Sequence, residues 1–503
     1  MIDAYKKRAT RISAGLVLIV LSSIPLWVAY RHPPFLNDDT YITLTYAKSI
    51  AAGRGFVFNQ PPATLGTTTP LLALVVAGTS SILPGVEVSK IAVLFTALCW
   101  IGIIWGVYLG RERLGLSRWQ AVTVGGVVIA SGWIGFLGME AYLFAFLLIF
   151  TMILYLQRRW LSSGVLVGLL FLTRGEGILM LPTLLLYRLG QTWNERSRAR
   201  LRIDSPSLKL VFGCLLVVLV WSVYAWSTFG YILPNTLSAK AAQRSAGHWE
   251  SFSHRLLQDW LPTWGRQFAF SPWPRLNLWW ILASIGLGVV LLKKRQWLIL
   301  VIWMSFYTAG YAILDVAGYW WYQLPILFVV QLLVALGLAA VEELATTLDG
   351  KANLLGHALA IVLVVAVTTL LARPRVTAIL RGTGDLRASS YLALADWINE
   401  NTDPAQSIAY LEIGYLGYHT DNRIVDLMGL VTPGISPYIA EGDFASGFWA
   451  YEPDYFIYLP DFSWALASIR EDPRFEQRYR AVTTLPGPRE TDFAIYARVG
   501  PSG

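Results

Sequence analysis

Asp38 and Asp39 stand side by side at the end of a long apolar run, in a chain where only 14 % of residues are Asp, Glu, Lys or Arg. Adjacent carboxylates repel, and apolar surroundings raise the pKa of at least one of them. A partly desolvated carboxylate suits a general base or a cation site. The alternative is a helix start, because Asp favours the N-cap and the positive end of the helix dipole, although one Asp would serve that purpose. From Thr40 onward, Ile42, Tyr46 and Ile50 recur near helical spacing with Tyr41, Leu44 and Ala51. This pattern predicts a short amphipathic helix at the membrane interface, with the acidic pair at its N-terminal end.

Other residues carry the same double reading. Glu140 opens an apolar run with no basic neighbour in sequence, as a site acid or as a helix-start charge. Arg174 and Glu176, in "TRGEG", hold an anion or pair with each other, the common fate of opposite charges inside a membrane. Lys240, in "LPNTLSAK", is a phosphate ligand or a solvated loop lysine. Tyr319, Trp320, Trp321 and Tyr322 form an aromatic belt or a surface for sugar stacking. Acids to take a hydroxyl proton, Arg and Lys to hold a phosphate, and aromatics at a lipid boundary together point to chemistry on a phosphate-linked lipid.

The elements that must position these residues are membrane helices. The 503 residues are 55 % hydrophobic and include 22 tryptophans, which excludes one soluble core under a charged surface. About eleven spans are predicted, near 12–30, 87–110, 119–137, 140–157, 160–173, 175–190, 210–229, 277–292, 297–314, 319–340 and 353–372. The apolar stretch 71–83, between Pro70 and Pro84, is short for a span and is predicted to be re-entrant or interfacial. Residues 373–503 contain no run of spanning length. The expected architecture is therefore a polytopic α-helical membrane domain over 1–372, with a first external loop at 31–86, followed by a small extracytoplasmic α/β domain over 373–503. There "SSYLALADWINEN" predicts a Ser-capped helix, and "SIAYLEI", "NRIVDLMG" and "DYFIYLP" predict strands.

Charge orients the chain. Lys6, Lys7, Arg8 and Arg11, then Arg111, Arg113 and Arg118, Arg158 and Arg159, the run from Arg188 to Lys209, and Lys293 to Arg295 all fall on one side of this topology. The positive-inside rule makes that side cytoplasmic and the C-terminal part external. No small-residue cleavage site ends the first apolar run, so a retained helix is expected rather than a signal peptide. The net charge of +8 is spread over these short loops, which argues against nucleic acid as a partner. The loops hold no Walker or glycine-rich nucleotide pattern. Cys99 and Cys214 lie inside apolar runs as packing residues, and no His/Cys cluster argues for zinc. Asp38, Asp39, Glu140, Arg174, Glu176, Lys240, Tyr319 and Tyr322 then share the external face. The turn carrying Arg174 is sunk below the outer membrane surface, because the spans on either side of it are short. Nucleotide sugars are cytoplasmic, so sugar transfer on the external face requires a donor anchored in the membrane.

"NDDTYITLTYAKSIAAGRGFVFN" followed by "LGTTTPLLAL" resembles the first external loop of integral-membrane type-C (GT-C) glycosyltransferases, especially the branch containing actinobacterial cell-wall arabinofuranosyltransferases. "GMEAYLFAFLL", "LTRGEGILMLP", "YILPNTLSAK" and "IAYLEIGYLGYHTDNRIVDLMGLVTP" are similar to later segments of that family, in the same order. Departures are Thr45 and Ser49 where relatives have Arg and Asn, Gly175 in place of Pro, and Thr67 and Thr68 in place of Tyr-Thr. The resemblance implies an inverting transfer of a sugar, such as arabinofuranose or mannose, from a polyprenyl-phosphate donor to a hydroxyl of a cell-envelope glycan, lipid or protein. It implies that Asp38 or Asp39 is the general base, with Asp38 the first choice. It further implies that Glu140 orients the acceptor or the base, and that Arg174 and Lys240 hold the lipid phosphate. Tyr41, Glu176, Tyr319 and Tyr322 are expected to line the substrate site. Some type-C enzymes use a divalent cation (Mg, Mn or Ca), which Asp38 and Asp39 are placed to hold with waters. Two other classes fit the same residues: a flippase of polyprenyl-linked lipid, with the charges as a polar pathway, and a non-catalytic binder of envelope glycan.

Overall fold

The computed structural model describes residues 2–31, 36–193, 204–266, 277–346, 350–381 and 385–499. Residues 32–35 of the first loop, 194–203 of the basic run and 267–276 of the long loop lie outside the described residues, as do the side chains of Lys6, Lys7, Arg8 and Arg11. The apolar runs of the sequence form helices, joined by the more polar helices Asp38–Ala51 and Asn235–Ser245: α1 (Ile2–Arg31), α2 (Asp38–Ala51), α3 (Pro70–Ile82), α4 (Val88–Gly110), α5 (Arg118–Ala130), α6 (Ala141–Leu156) and α7 (Trp160–Thr173). They continue with α8 (Met180–Trp193), α9 (Ser205–Phe229), α10 (Asn235–Ser245), α11 (Leu278–Leu292), α12 (Leu298–Ile313), α13 (Leu324–Thr346) and α14 (Gly350–Leu380).

Among the described residues, 6 stretches are long and apolar enough to cross a membrane: Ile12–Arg31, Val88–Gly110, Ser205–Phe229, Arg295–Ile313, Trp320–Leu344 and Ile361–Leu380. The remaining predicted spans are shorter helices, from 13 residues in α5 to 16 in α6. At a rise of about 1.5 Å per residue these reach only ~20–24 Å, against a hydrocarbon core of ~30 Å. Short helices leave their connecting turns below the membrane surface, where polar side chains must find protein partners. The apolar stretch after Thr69 forms α3, which starts with Pro70 in its first turn and packs on α2, α4 and α7.

Glycine lets certain helix pairs touch backbone to backbone. A Cβ on Gly286 of α11 would overlap the Leu333 carbonyl of α13, and one on Gly337 of α13 would overlap the Leu282 carbonyl of α11. In lipid, where apolar surface alone does not drive helix association, such close contact supplies the dispersion energy of packing.

After α14 the chain builds α15 (Ala388–Asn401), a short helix α16 (Gly414–His419) and a five-stranded sheet of order β2-β1-β3-β5-β4. Strands β1 (Ser407–Tyr410), β2 (Arg423–Asp426) and β3 (Tyr455–Tyr458) fall on the three predicted segments and pair in parallel around β1. β4 (Tyr479–Pro486) and β5 (Asp492–Arg498), which the sequence reading did not single out, add an antiparallel edge. The Ser cap expected for α15 is corrected: Ser389 and Ser390 lie inside the helix. Asp385 provides the turn instead, its Oδ1 accepting from the Arg387 N–H at 3.0 Å.

Two expectations for α2 are also corrected. Its N-cap is Asn37, whose Oδ1 accepts from the Thr40 N–H at 2.9 Å, so neither aspartate is spent on capping. Nor does α2 keep an amphipathic outer face: Thr40 through Ala47 are all buried. The cause is α16, which packs over that face. Tyr41 packs among Tyr415, Tyr418 and His419 with ring centroids 4.8, 4.8 and 5.2 Å away. Lys48 Nζ donates to the Tyr418 carbonyl at 3.0 Å, Asn59 Nδ2 to the Asn422 carbonyl at 3.0 Å and Gln60 Nε2 to the Asp421 carbonyl at 2.9 Å. From α10, Gln243 Nε2 donates to the Met428 carbonyl at 3.0 Å. The sheet and the first loop therefore close over one end of the helix bundle.

The close contact of α11 with α13 yields a direct test. Gly286→Ala should destabilise the detergent-solubilised protein by about 1–3 kcal/mol, seen as a lower thermal unfolding midpoint. Gly288→Ala, where a Cβ meets nothing within 4 Å, should leave the midpoint unchanged or raised.

Candidate active site

The first turn of α2, the helix α10, the segment 319–321 and the loops around β1 and β3 enclose a cleft of about 300 Å³. Asp38, Asp39, Lys240, Gln243, Arg387 and Glu412 are its polar walls, and Trp249, Tyr319, Trp320, Trp321, Phe462 and Trp464 its aromatic ones. A smaller pocket of about 60 Å³ adjoins it, sharing Asp39, Ile42, Lys240, Trp321 and Leu430 and adding Glu140 and Thr67.

The two aspartates face different surroundings. Asp38 Oδ1 accepts the Tyr415 N–H at 2.9 Å, at the start of α16. Gly414 makes this approach feasible, because a Cβ there would overlap the Asp38 carbonyl oxygen. Burial, then the nearby charges of Glu412 and Asp39, push the Asp38 carboxyl up to about 8. Burial also raises Asp39, to about 6, and the strongest opposing influence is the Lys240 ammonium. Asp38 is thus seated on the start of α16 with Glu412 as its strongest charged neighbour, and the strongest charged neighbours of Asp39 are Lys240 and then Glu140.

Lys240 sits on α10 with its Nζ 5.4, 5.6 and 5.1 Å from the ring centroids of Tyr319, Trp321 and Tyr322. Ring faces hold an ammonium in place without neutralising it, so its charge is available to a ligand anion. Tyr319 lines the cleft, and its hydroxyl bonds Gln243. Tyr322 is buried beneath Lys240.

Arg174 is only 5 % exposed. Its Nη1 lies 3.1 Å from Glu140 Oε1 and its Nε 2.7 Å from Glu176 Oε1, which also accepts from the Tyr311 hydroxyl at 3.0 Å. It lines a void of about 10 Å³ with Trp133, Phe144 and Phe328, beside the cleft rather than in it. Glu140 connects the two, touching Arg174 on one side and the smaller pocket on the other. Of the other expected lining residues, Glu176 stays with Arg174 and Tyr41 with the rings of α16.

Arg387 and Glu412 were not singled out from the sequence. The guanidinium of Arg387 is held by Asp385, Nε to Oδ1 at 2.9 Å and Nη2 to Oδ2 at 2.8 Å, and it also contacts Glu412. The Tyr391 hydroxyl donates to the same Glu412. Glu412 had a visible signal, a lone charge in the apolar stretch "IAYLEIGYLGY" two residues before the required Gly414. Arg387 had none. Among the described residues no group of three or more His, Cys, Asp or Glu side chains could hold a metal. A divalent cation at Asp38 and Asp39 would therefore draw most of its ligands from water and phosphate.

The buried Arg174 cluster predicts a large stability effect. Arg174→Ala leaves Glu140 and Glu176 buried without their cation, Glu176 keeping only the Tyr311 hydroxyl, and should cost about 3–5 kcal/mol, read from thermal unfolding in detergent. Arg174→Lys should recover only part of this, because one ammonium replaces a fork that serves two carboxylates.

Comparison with known proteins agrees with this geometry at the level of the fold. Residues 381–496 match a family described as a domain of unknown function (DUF8728). No curated protein matches the chain. Among solved structures, the chain is similar to ArnT from Cupriavidus metallidurans, crystallised with undecaprenyl phosphate bound. The TM-score is 0.58 at 13 % identity, covering 97 % of this chain and 98 % of that one. The protein is a multi-pass membrane protein with a GT-C-like fold.

Proposed function

We propose that this protein is an inverting glycosyltransferase that moves a sugar from a polyprenyl-phosphate donor to a hydroxyl of a cell-envelope glycan, lipid or protein. The observation that carries this reading is the convergence of two pKa-raised carboxylates and the ring-held Lys240 on one aromatic cleft at one end of the membrane bundle. The similarity to ArnT, bound to undecaprenyl phosphate, supports the lipid-linked donor. The distribution of basic residues supports an extracytoplasmic site, with the N-terminus in the cytoplasm.

Inversion requires the attacking hydroxyl and the leaving phosphate on opposite sides of the anomeric carbon. The base and the phosphate-binding cation must then be separated across the sugar. Among the charges around Asp39 the Lys240 ammonium acts most strongly, whereas Asp38 is seated on the Tyr415 N–H and its strongest charged neighbour is Glu412. Asp38 is accordingly the base. It takes the acceptor's hydroxyl proton as the oxygen bonds to the anomeric carbon, while the bond from that carbon to the phosphate oxygen breaks and its electron pair leaves with the phosphate. Lys240 offsets the charge on the departing phosphate. A phosphate leaves readily, so no strong general acid is needed. Asp39 and Glu140 keep Lys240 oriented, and Arg174 holds Glu140 in turn.

Cells lacking this protein should lose one glycosyl residue from an envelope component, identified by mass spectrometry. The wild-type gene should restore it, and Asp38→Asn should fall short by a factor of about 10²–10⁴. Full restoration by Asp38→Asn would overturn the reading. Transfer in isolated membranes should rise with pH across the interval from about 6 to about 8, because the base must lose its proton. Asp39→Asn removes a negative charge that holds the Asp38 proton, so it should move this rise to lower pH rather than abolish transfer. Lys240→Met should reduce transfer about 10²-fold at every pH.

A further inference from the structure

The far wall of the cleft has a role that the base and the phosphate cation do not fill. Trp249 and Trp464 meet edge to face, with ring centroids 5.1 Å apart and planes at 89°, forming a right-angled corner. His248 packs against the Trp464 ring at 4.9 Å. The corner opens to solvent, since Trp464 is 39 % exposed. Its halves come from distant parts of the chain. Trp249 precedes a segment pinned to 316–318, where the Gly318 N–H donates to the Glu250 carbonyl at 2.8 Å and the Phe252 N–H to the Val316 carbonyl at 2.9 Å. Trp464 opens the helix Ser463–Arg470 that follows β3.

In the same cleft, Arg387 and Glu412 present a planar polar edge whose orientation is set by Asp385 and Tyr391. Ring faces beside fixed, fork-shaped polar groups match a molecule with an apolar face and a hydroxylated rim. A sugar ring is such a molecule: its C–H bonds lie against the negative face of an indole, and its hydroxyls reach a guanidinium or carboxylate. An alkyl chain would cover Arg387 and Glu412 without bonding them, at a desolvation cost.

We propose that the Trp249–Trp464 corner and the Arg387–Glu412 pair form a saccharide subsite for the acceptor, so that the acceptor is a glycan rather than a lipid alcohol or a peptide hydroxyl. The assignment to the acceptor rests on the transferase reading above. The donor's sugar is tied by its phosphate to Lys240, and the solvent-facing corner receives the partner that arrives from outside the membrane. The sheet thereby contributes half of the acceptor site.

The test uses the full-length protein in detergent, fluorescently labelled, on an array of furanose and pyranose oligosaccharides, with serine-rich peptides and long-chain alcohols as separate arms. The expected result is retention on at least one class of oligosaccharide. Trp464→Ala and Trp249→Ala should each weaken it about tenfold, with partial recovery in Trp464→Phe. Three results would overturn the subsite: no oligosaccharide retained, retention only on peptides or alcohols, or equal retention by wild type and both alanine variants. Retention by a wild-type protein that transfers no sugar would uphold the subsite and overturn the transferase reading. Transfer to a glycan that is indifferent to both alanine changes would do the reverse.

Discussion

The seating of Asp38 against the first turn of α16 joins the two halves of this molecule. A carboxylate at the start of one buried helix accepts a backbone N–H at the start of another, and the missing side chain of Gly414 allows the approach. Once that contact forms, α2 is buried on nearly all sides, Tyr41 is locked among the rings of α16, and Glu412 is brought beside the acidic pair. The cleft exists because the sheet closes over the bundle at this point.

The membrane portion contributes a different constraint. Its α7 is 14 residues long, short of a full span, and the turn after it satisfies Arg174 inside protein. Glu140 and Glu176 do so, which ties the start of α6 to the turn before α8. A buried ion triad of this kind adds little net stability over an apolar replacement but imposes a large penalty when one member is lost. Its value to the fold is positional: Glu140 is held where the smaller pocket meets Asp39. Charge in this protein is thus graded, from a fully paired cluster at Arg174, through the ring-held Lys240, to the raised carboxylates that face the cleft.

Much of this was legible in one sequence, and the limits have physical causes. Apolar runs mark helices because bilayer thickness and backbone satisfaction leave no alternative, so α4, α9 and α13 fall where hydropathy puts them. Asp38, Asp39, Lys240 and Glu140 stood out because charge is rare in such a chain. The Ser cap of α15 and the amphipathic outer face of α2 differ in the structure for two reasons: Asp385, just upstream of α15, takes the turn with Arg387, and α16, far along the chain, covers α2. Arg387 had no local signal at all, since its importance comes from contacts with Asp385 and Glu412.

The sequence by itself determined the class of structure and the inventory of reactive groups, because both follow from composition and local periodicity. Only the tertiary structure decided how those groups are shared out. It gave the helix cap to Asn37, the backbone N–H and Glu412 to Asp38, Lys240 to Asp39, and Arg174 to two glutamates beside the cleft. The reason is that desolvation and Coulomb interaction depend on distances through space, and the residues that set them for the acidic pair, Tyr415 and Glu412 at Asp38 and Lys240 at Asp39, lie hundreds of positions away along the chain.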